Sequence, residues 1–373
     1  MGTLPLRVQR FAALGLLVLV SACTSVGPRQ AVEADRPIVL PGLDEPYSLS
    51  THRFEIDPSG SDLIGELRVT RAGHDDTFTD LARRFNVGYE ELVRANPGID
   101  PWLPAEGQEI VLPTQHLLPN APREGIVINL AAMRLYYFPK ANRGEPQVVY
   151  TFPIGIGRVG WATPEGRTSI TRMTKNPTWR PGPGVRREHA EEGEILPAVV
   201  PPGPDNPLGT RALYLGWPSY LIHGTNKPAG VGLRSSHGCI RMFPEDVEFL
   251  YNLVRVGTRV TVVNQPFVFG WHDGQLLMQA FNVLEDDPRD WQRAQRKLLS
   301  RSLAARIQSE LKMRGETIDW NVVSRLAHAP RGLPVSVSSA EASYEAVIAG
   351  APRVRNAVPI GATWTGDTEA ATP

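Results

Sequence analysis

Apolar and polar positions alternate through the middle of the chain. Residues 125–129, 133–138, 148–155, 167–173, 212–215, 220–223 and 258–263 are short runs rich in β-branched and aromatic residues. Turn residues separate them, which predicts a mainly β unit. Residues 67–113 have a different rhythm. Leu67-Arg68-Val69 predicts a strand. Phe78, Leu81, Ala82 and Phe85 then recur at helical spacing behind a capping Thr77. Tyr89, Leu92 and Val93 predict a second helix stopped by Asn96-Pro97-Gly98, and Ile110 to Pro113 predicts a closing strand. A helix is expected from Pro244, with Val247, Leu250, Tyr251 and Val254 on its apolar face. Residues 266–285 are expected to hold a hairpin through Asp273-Gly274. Leu298, Leu299, Leu303, Ile307 and Leu311 mark a helical stripe within 289–313. Residues 176–209 have no period and are rich in proline and glycine. A loop that long inside a domain is expected to be functional and could shield a site.

With 373 residues, of which 42% are hydrophobic, the chain has room for two domains and extensions. Gly and Pro count 34 each, in keeping with a loop-rich β protein. Basic and acidic residues balance at 39 each, so the basic stripe of a nucleic-acid binder is not expected. The two cysteines, Cys23 and Cys239, occupy unrelated contexts, which argues against a disulfide framework.

Arg7 and Arg10 precede an apolar run from Phe11 to Val20 that is too short to span a bilayer. Val20-Ser21-Ala22-Cys23 follows and resembles a bacterial lipoprotein box, in which the cysteine is lipidated and becomes the mature N-terminus. An ordinary signal peptide is the alternative. Thr24, rather than an aspartate, follows the cysteine. By analogy a periplasm-facing lipoprotein is expected, in the outer membrane rather than the inner.

The chemistry concentrates in His223-Gly224-Thr225-Asn226, Gly232 and Arg234-Ser235-Ser236-His237-Gly238-Cys239-Ile240-Arg241. A thiol attacks as thiolate, and a neighbouring imidazole can take its proton. His237 is two residues from Cys239, and the intervening loop could return His223 to it. Gly238 permits a tight turn and removes bulk where backbone N–H groups could face an oxyanion. Arg241 can pair with a carboxylate in a bidentate way. Two other readings stand beside this one. His223, His237 and Cys239 could be three metal ligands, although a structural zinc site takes four. Cys239 could also be a structural cysteine.

The motif resembles the signature of the YkuD-type L,D-transpeptidases. Gly155-Ile156-Gly157, Thr163-Pro164-Glu165-Gly166, Asn176 to Pro181 and Pro202 to Gly209 resemble other landmarks of the ErfK/YbiS branch. Residues 67–113 resemble a LysM module, on Gly73, Asp76-Thr77, Leu81-Ala82, Phe85, Val87, Leu92, Asn96-Pro97, Gly107 and Ile110 to Pro113; His74 and Asp75 lengthen its first turn. These resemblances imply a sandwich-like or barrel-like β catalytic domain behind a βααβ glycan-binding module, with no metal or organic cofactor. They place the nucleophile on Cys239, the general base and acid on His223 and the carbonyl that orients it on Gly224. His237, Gly238 and the Cys239 amide fall at the oxyanion pocket, and Ser236 and Arg241 fall on substrate-supporting positions. The implied partner is peptidoglycan. The implied acceptor is an amine of a second stem peptide or of an envelope lipoprotein. The same residues would serve an amidase or carboxypeptidase that uses water, and a degenerate domain would leave an inactive peptidoglycan-binding protein. The expected organisation is a signal peptide over 1–22, a tether over 23–62, the module over 67–113, the catalytic domain over 123–265, a partly helical extension over 266–350 and a disordered tail over 351–373.

Overall fold

The computed structural model describes residues 53–58 and 60–358. The expected signal peptide, Cys23, most of the expected tether and residues 359–373 lie outside the described residues. The first part of the fold comprises β1 (Arg53–Glu55), β2 (Leu63–Gly65), β3 (Arg68–Arg71), α1 (Phe78–Arg84), α2 (Tyr89–Ala95), β4 (Glu109–Leu112) and β5 (Gln115–Leu117). Antiparallel β3 and β4 and the two helices form the βααβ module. Thr77 caps α1 reciprocally with Asp80, as its position predicts. The lengthened first turn is closed by Asp76, whose carboxylate accepts the Gly73 N–H at 2.6 Å.

The catalytic part follows as β6 (Gly125–Asn129), β7 (Arg134–Phe138), β8 (Val148–Pro153), β9 (Ile156–Gly157), β10 (Gly166–Lys175), α3 (Pro183–Glu191), β11 (Arg211–Leu215), β12 (Leu221–His223), β13 (Arg234–Ser236), β14 (Ile240–Arg241), α4 (Pro244–Leu253) and β15 (Arg259–Val263). Among the described residues one sheet runs in the order β1-β8-β7-β6-β15-β10-β11-β12-β14. Its two faces separate by strict alternation. Ile126, Ile128, Leu135 and Val260 enter one core with Val247 and Leu250 of α4. Val127, Tyr136, Phe138 and Val149 enter the other. An antiparallel bridge between Gly155 and Arg241 ties the chain beyond β8 to the far edge at β14, so the sheet curls upon itself. A mainly β, barrel-like domain is thus present.

The last part comprises β16 (Phe267–His272), β17 (Gln275–Ala280), α5 (Trp291–Ser302), α6 (Ala305–Arg314), α7 (Trp320–His328), β18 (Val335–Ser336) and α8 (Tyr344–Ala349). Asp273 and Gly274 turn the β16–β17 hairpin with φ of 46° and 78°. The single helix expected over 289–313 is broken at Leu303-Ala304, yet Leu299, Leu303 and Ile307 share one core. That core includes Leu67, Val69, Ala95 and Val111, so the extension and the module are packed as one body.

Two expectations are corrected at the termini. The end of the expected tether is an edge strand, because β1 pairs with β8. The start of the expected tail is ordered too. Pro352 and Val354 bond the backbone of Val69, and Asn356 accepts from Arg84 at 2.6 Å and donates to the Arg71 carbonyl at 2.9 Å. Both segments satisfy open sheet edges, a demand that composition does not reveal.

The module is joined to the catalytic sheet by buried charge. Arg134 on β7 donates to both carboxylate oxygens of Glu91 on α2, at 2.8 and 2.7 Å, with side-chain exposures of only 2% and 5%. Burial opposes the Arg134 charge, and Glu91 more than restores it. Asn86 donates to both oxygens of Asp246 at the start of α4, and Arg83 makes a two-pronged pair with Glu245. Glu91→Ala is expected to cost about 3–5 kcal/mol in chemical denaturation, because it strands the Arg134 charge. Removing the exposed partner of Arg259 by Glu124→Ala should cost less than about 1 kcal/mol. Equal losses in the two variants would refute this ordering.

Candidate active site

Parallel pairing of β12 with β14 sets Ile222 against Ile240 and His223 against Arg241. Ile222 and Ile240 point into the sheet core. By alternation His223, Cys239 and Arg241 share the opposite face, where Cys239 immediately precedes β14. The two residues expected to carry the chemistry are therefore brought together by adjacent strands.

His223 is buried, and its Nδ1–H donates to the Gly224 carbonyl at 2.6 Å. This bond leaves the lone pair on Nε2. Burial, then the charge of Arg241, lowers the imidazole pKa to about 3, against a smaller opposing effect of Gly224. The ring is neutral across the physiological range and available as a base. Cys239 is half-buried, with Sγ 3.5 Å from the Ser219 carbonyl oxygen. Burial pushes its thiol up, while the Leu221 amide and the Arg241 charge oppose the rise. At rest the group is a thiol that needs a base.

The nucleophile loop is held from within. Gly238 has φ +97°, and a Cβ there would stand 2.8 Å from the Tyr220 ring. Its N–H donates to Ser236 Oγ at 3.1 Å, and that hydroxyl donates to the Cys239 carbonyl at 2.6 Å. The Gly238 amide and the Ser236 hydroxyl are thus bonded inside the loop, where they fix the turn that carries Cys239. Thr163 braces the same turn by donating to the Gly238 carbonyl at 2.9 Å. Arg241 exchanges backbone bonds with Gly155 and donates from Nη1 to Ser235 Oγ at 3.2 Å.

His237 is engaged elsewhere. Its Nε2 is 2.6 Å from Glu188 Oε2 and 3.2 Å from Arg158 Nη2, and the Trp161 ring meets it edge-on. Burial and Arg158 lower the His237 pKa, while Glu188 raises it. Glu188 also pairs directly with Arg158. It sits on α3, within the stretch expected to be loop, where no periodic or motif signal marks it. Thr163 and Asn206 fall within motif segments of the sequence, whereas Glu188, Arg158 and Trp161 carry no motif signal. Among the described residues no three His, Cys, Asp or Glu side chains are grouped to hold a metal. Cys23, the expected lipidation residue, lies outside the described residues.

Residues 123–262 match the YkuD family, described as the L,D-transpeptidase catalytic domain, and residues 74–113 match the LysM domain. The chain is similar to the "Probable L,D-transpeptidase ErfK/SrfK" of Escherichia coli K12, 39% identical over 293 residues, spanning 77% of this chain and 91% of that one. It is similar to the "Probable L,D-transpeptidase YcfS" of the same organism, at 38% over 294 residues, 76% of this chain and 88% of that one. With the "Probable L,D-transpeptidase YbiS", identity is 44% over 216 residues, 57% and 69% of the two chains.

The buried imidazole makes a specific demand on pH behaviour. Alkylation of Cys239 by iodoacetamide should climb with pH at values above the ordinary thiol range, because burial raises the thiol. His223 should add no inflection near its ordinary value, since it takes a proton only at about 3. A step near pH 6.5 that vanishes in His223→Gln would overturn this electrostatic account.

Proposed function

The chain belongs to the L,D-transpeptidase family, and from that premise we propose that Cys239 is the acyl-carrying nucleophile of a peptidoglycan L,D-transpeptidase, with His223 as its base and acid. The observation that carries this reading is the placement of Cys239 and His223 on one face of paired parallel strands, with His223 Nε2 left free to accept. In the reaction, His223 Nε2 takes the thiol proton as Sγ attacks the carbonyl before the terminal D-alanine of a tetrapeptide stem. The Cys239 amide faces the developing oxyanion. Collapse breaks the amide bond, and the proton held by His223 passes to the departing amine of D-alanine. The thioester is then attacked by an acceptor amine, whose proton returns through His223 to the Cys239 thiolate as it leaves. Two such steps replace one difficult amide exchange.

A second stem amine is one acceptor, and an amine of an envelope lipoprotein is the other. Arg241, fixed beside the nucleophile by Gly155 and Ser235, supports the substrate. The LysM match supports binding to peptidoglycan glycan strands. In the module's α2–β4 connection, Trp102 and Leu103 stand 65% and 70% exposed, and the Tyr89 ring lies 6.0 Å from that of Trp102. Such a patch suits the apolar face of a sugar. Lipidation at Cys23 would hold the enzyme at the periplasmic face of the outer membrane, within reach of its polymer.

Incubation with disaccharide-tetrapeptide, followed by mass spectrometry, should show loss of D-alanine and a cross-linked dimer when a second stem is present. Tripeptide alone would point to water as acceptor. Cys239→Ala should form no adduct with a carbapenem, and an adduct in that variant would refute the nucleophile. Trp102→Ala should weaken pull-down on isolated sacculi by about tenfold, the worth of one well-placed aromatic contact. Unchanged binding would remove Trp102 from the glycan surface.

A further inference from the structure

The segment that carries α3 is secured firmly at its base and lightly at its tip. At the base, Trp179 and Val200 exchange two backbone bonds of 2.9 Å. Fully buried Asn206 donates to the carbonyls of Pro177 and Pro201 at 2.8 and 3.0 Å. At the tip, no residue of α3 is buried. Gly184 lies against the Trp161 ring, where a Cβ would come within 2.8 Å. Glu188 then supplies the ionic contact, to Arg158 and to His237.

The two recipients of that carboxylate do not belong to the segment. Arg158 is bonded through its N–H to the Ser236 carbonyl at 3.0 Å, and the residue before it, Gly157, packs against Gly238. His237 is two residues before Cys239 and is steadied by Trp161. Arg158 and His237 are thus fixed to the nucleophile loop and converge on one carboxylate, which comes from a different and lightly held element. The side chains of Arg158 and Glu188 are 35% and 28% exposed. An ion pair at such a position is weak enough to exchange for another carboxylate of the same chemistry.

We propose that Arg158 and His237 form the site for a carboxylate of the donor peptide adjacent to the scissile carbonyl, and that Glu188 occupies this site in the free protein as an internal stand-in. The inference rests on Cys239 as nucleophile. Entry of substrate exchanges one carboxylate for another and releases α3 from the loop. The exchange leaves charge in the site unchanged, so α3 undocks without stranding Arg158. Acyl donors lacking that carboxylate leave Glu188 and α3 in place.

The test compares two small alkylating agents of similar size at Cys239 in the full chain, neutral iodoacetamide and anionic iodoacetate. Rates at that residue are read by peptide mass mapping. Glu188→Gln should raise the iodoacetate-to-iodoacetamide rate ratio roughly fivefold to tenfold, by freeing the Arg158 guanidinium beside His237. Adding Arg158→Gln should abolish the gain. Glu194→Gln neutralises another acid of the same segment, which pairs with His189, and should change the ratio less than about twofold. Three results would each overturn the site: an unchanged ratio in Glu188→Gln, an equal rise in both rates, or the same gain from Glu194→Gln. These results leave the nucleophile standing. Failure of iodoacetamide to label Cys239 at all would sink the nucleophile and this site together. A general loosening of the fold would accelerate both reagents alike, so the ratio separates it from loss of the carboxylate.

Discussion

The parallel contact between β12 and β14 is the constraint on which the chemistry depends. Parallel neighbours need a long crossover, and here the crossover carries Gly232, the β13 strand and the nucleophile loop before the chain re-enters the sheet at Ile240. Because Ile222 and Ile240 are pinned in the core, a slip of one residue would bury Cys239 and expose an isoleucine. The hydrophobic core therefore sets the relative position of the His223 imidazole and the Cys239 thiol. The Gly155–Arg241 bridge closes the sheet at the same point, so the curl of the sheet and the geometry of the site have one origin.

Around that edge the protein uses polar groups in two distinct ways. Glu91, Arg134, Asn86 and Asp246 are buried and mutually bonded, and they hold the module against the sheet. Burial drives the Asp246 carboxyl well above its usual range, with Glu245 adding to the rise. Such groups are costly to leave without partners, so they make the two parts one body. Close backbone approach reinforces the join. Gly232 has φ +80°, and a Cβ there would stand 2.3 Å from the Tyr89 nitrogen. The module thus abuts the segment that leads to Cys239. The extension at the C-terminal end completes this body by sharing a core with the module.

The contacts at α3 are of the second kind. They are partly exposed and easily screened by salt. The loop that carries Cys239 is fixed by more enclosed bonds through Ser236 and Thr163. The enclosed bonds thus lie at the Cys239 turn and the exposed ones at α3.

Much of this was legible along the chain. The strand period, the capping Thr77, the Asp273-Gly274 hairpin and the His223 to Arg241 motif are local patterns, and each appears where local physics puts it. The mainly β sheet, the βααβ module and the candidate nucleophile with its base follow from them. Other features were decided by tertiary structure alone. Glu188 meets His237 across 49 residues and Glu91 meets Arg134 across 43, and neither pairing leaves a periodic trace. The strand character of residues 53–55 and the docking of 352–356 depend on open sheet edges that exist only once the sheets are built. The Gly238 amide bonds Ser236, because the direction of a single N–H follows from the turn and not from residue type. Periodicity encodes which face of an element is buried; which distant side chain meets it there is a property of packing.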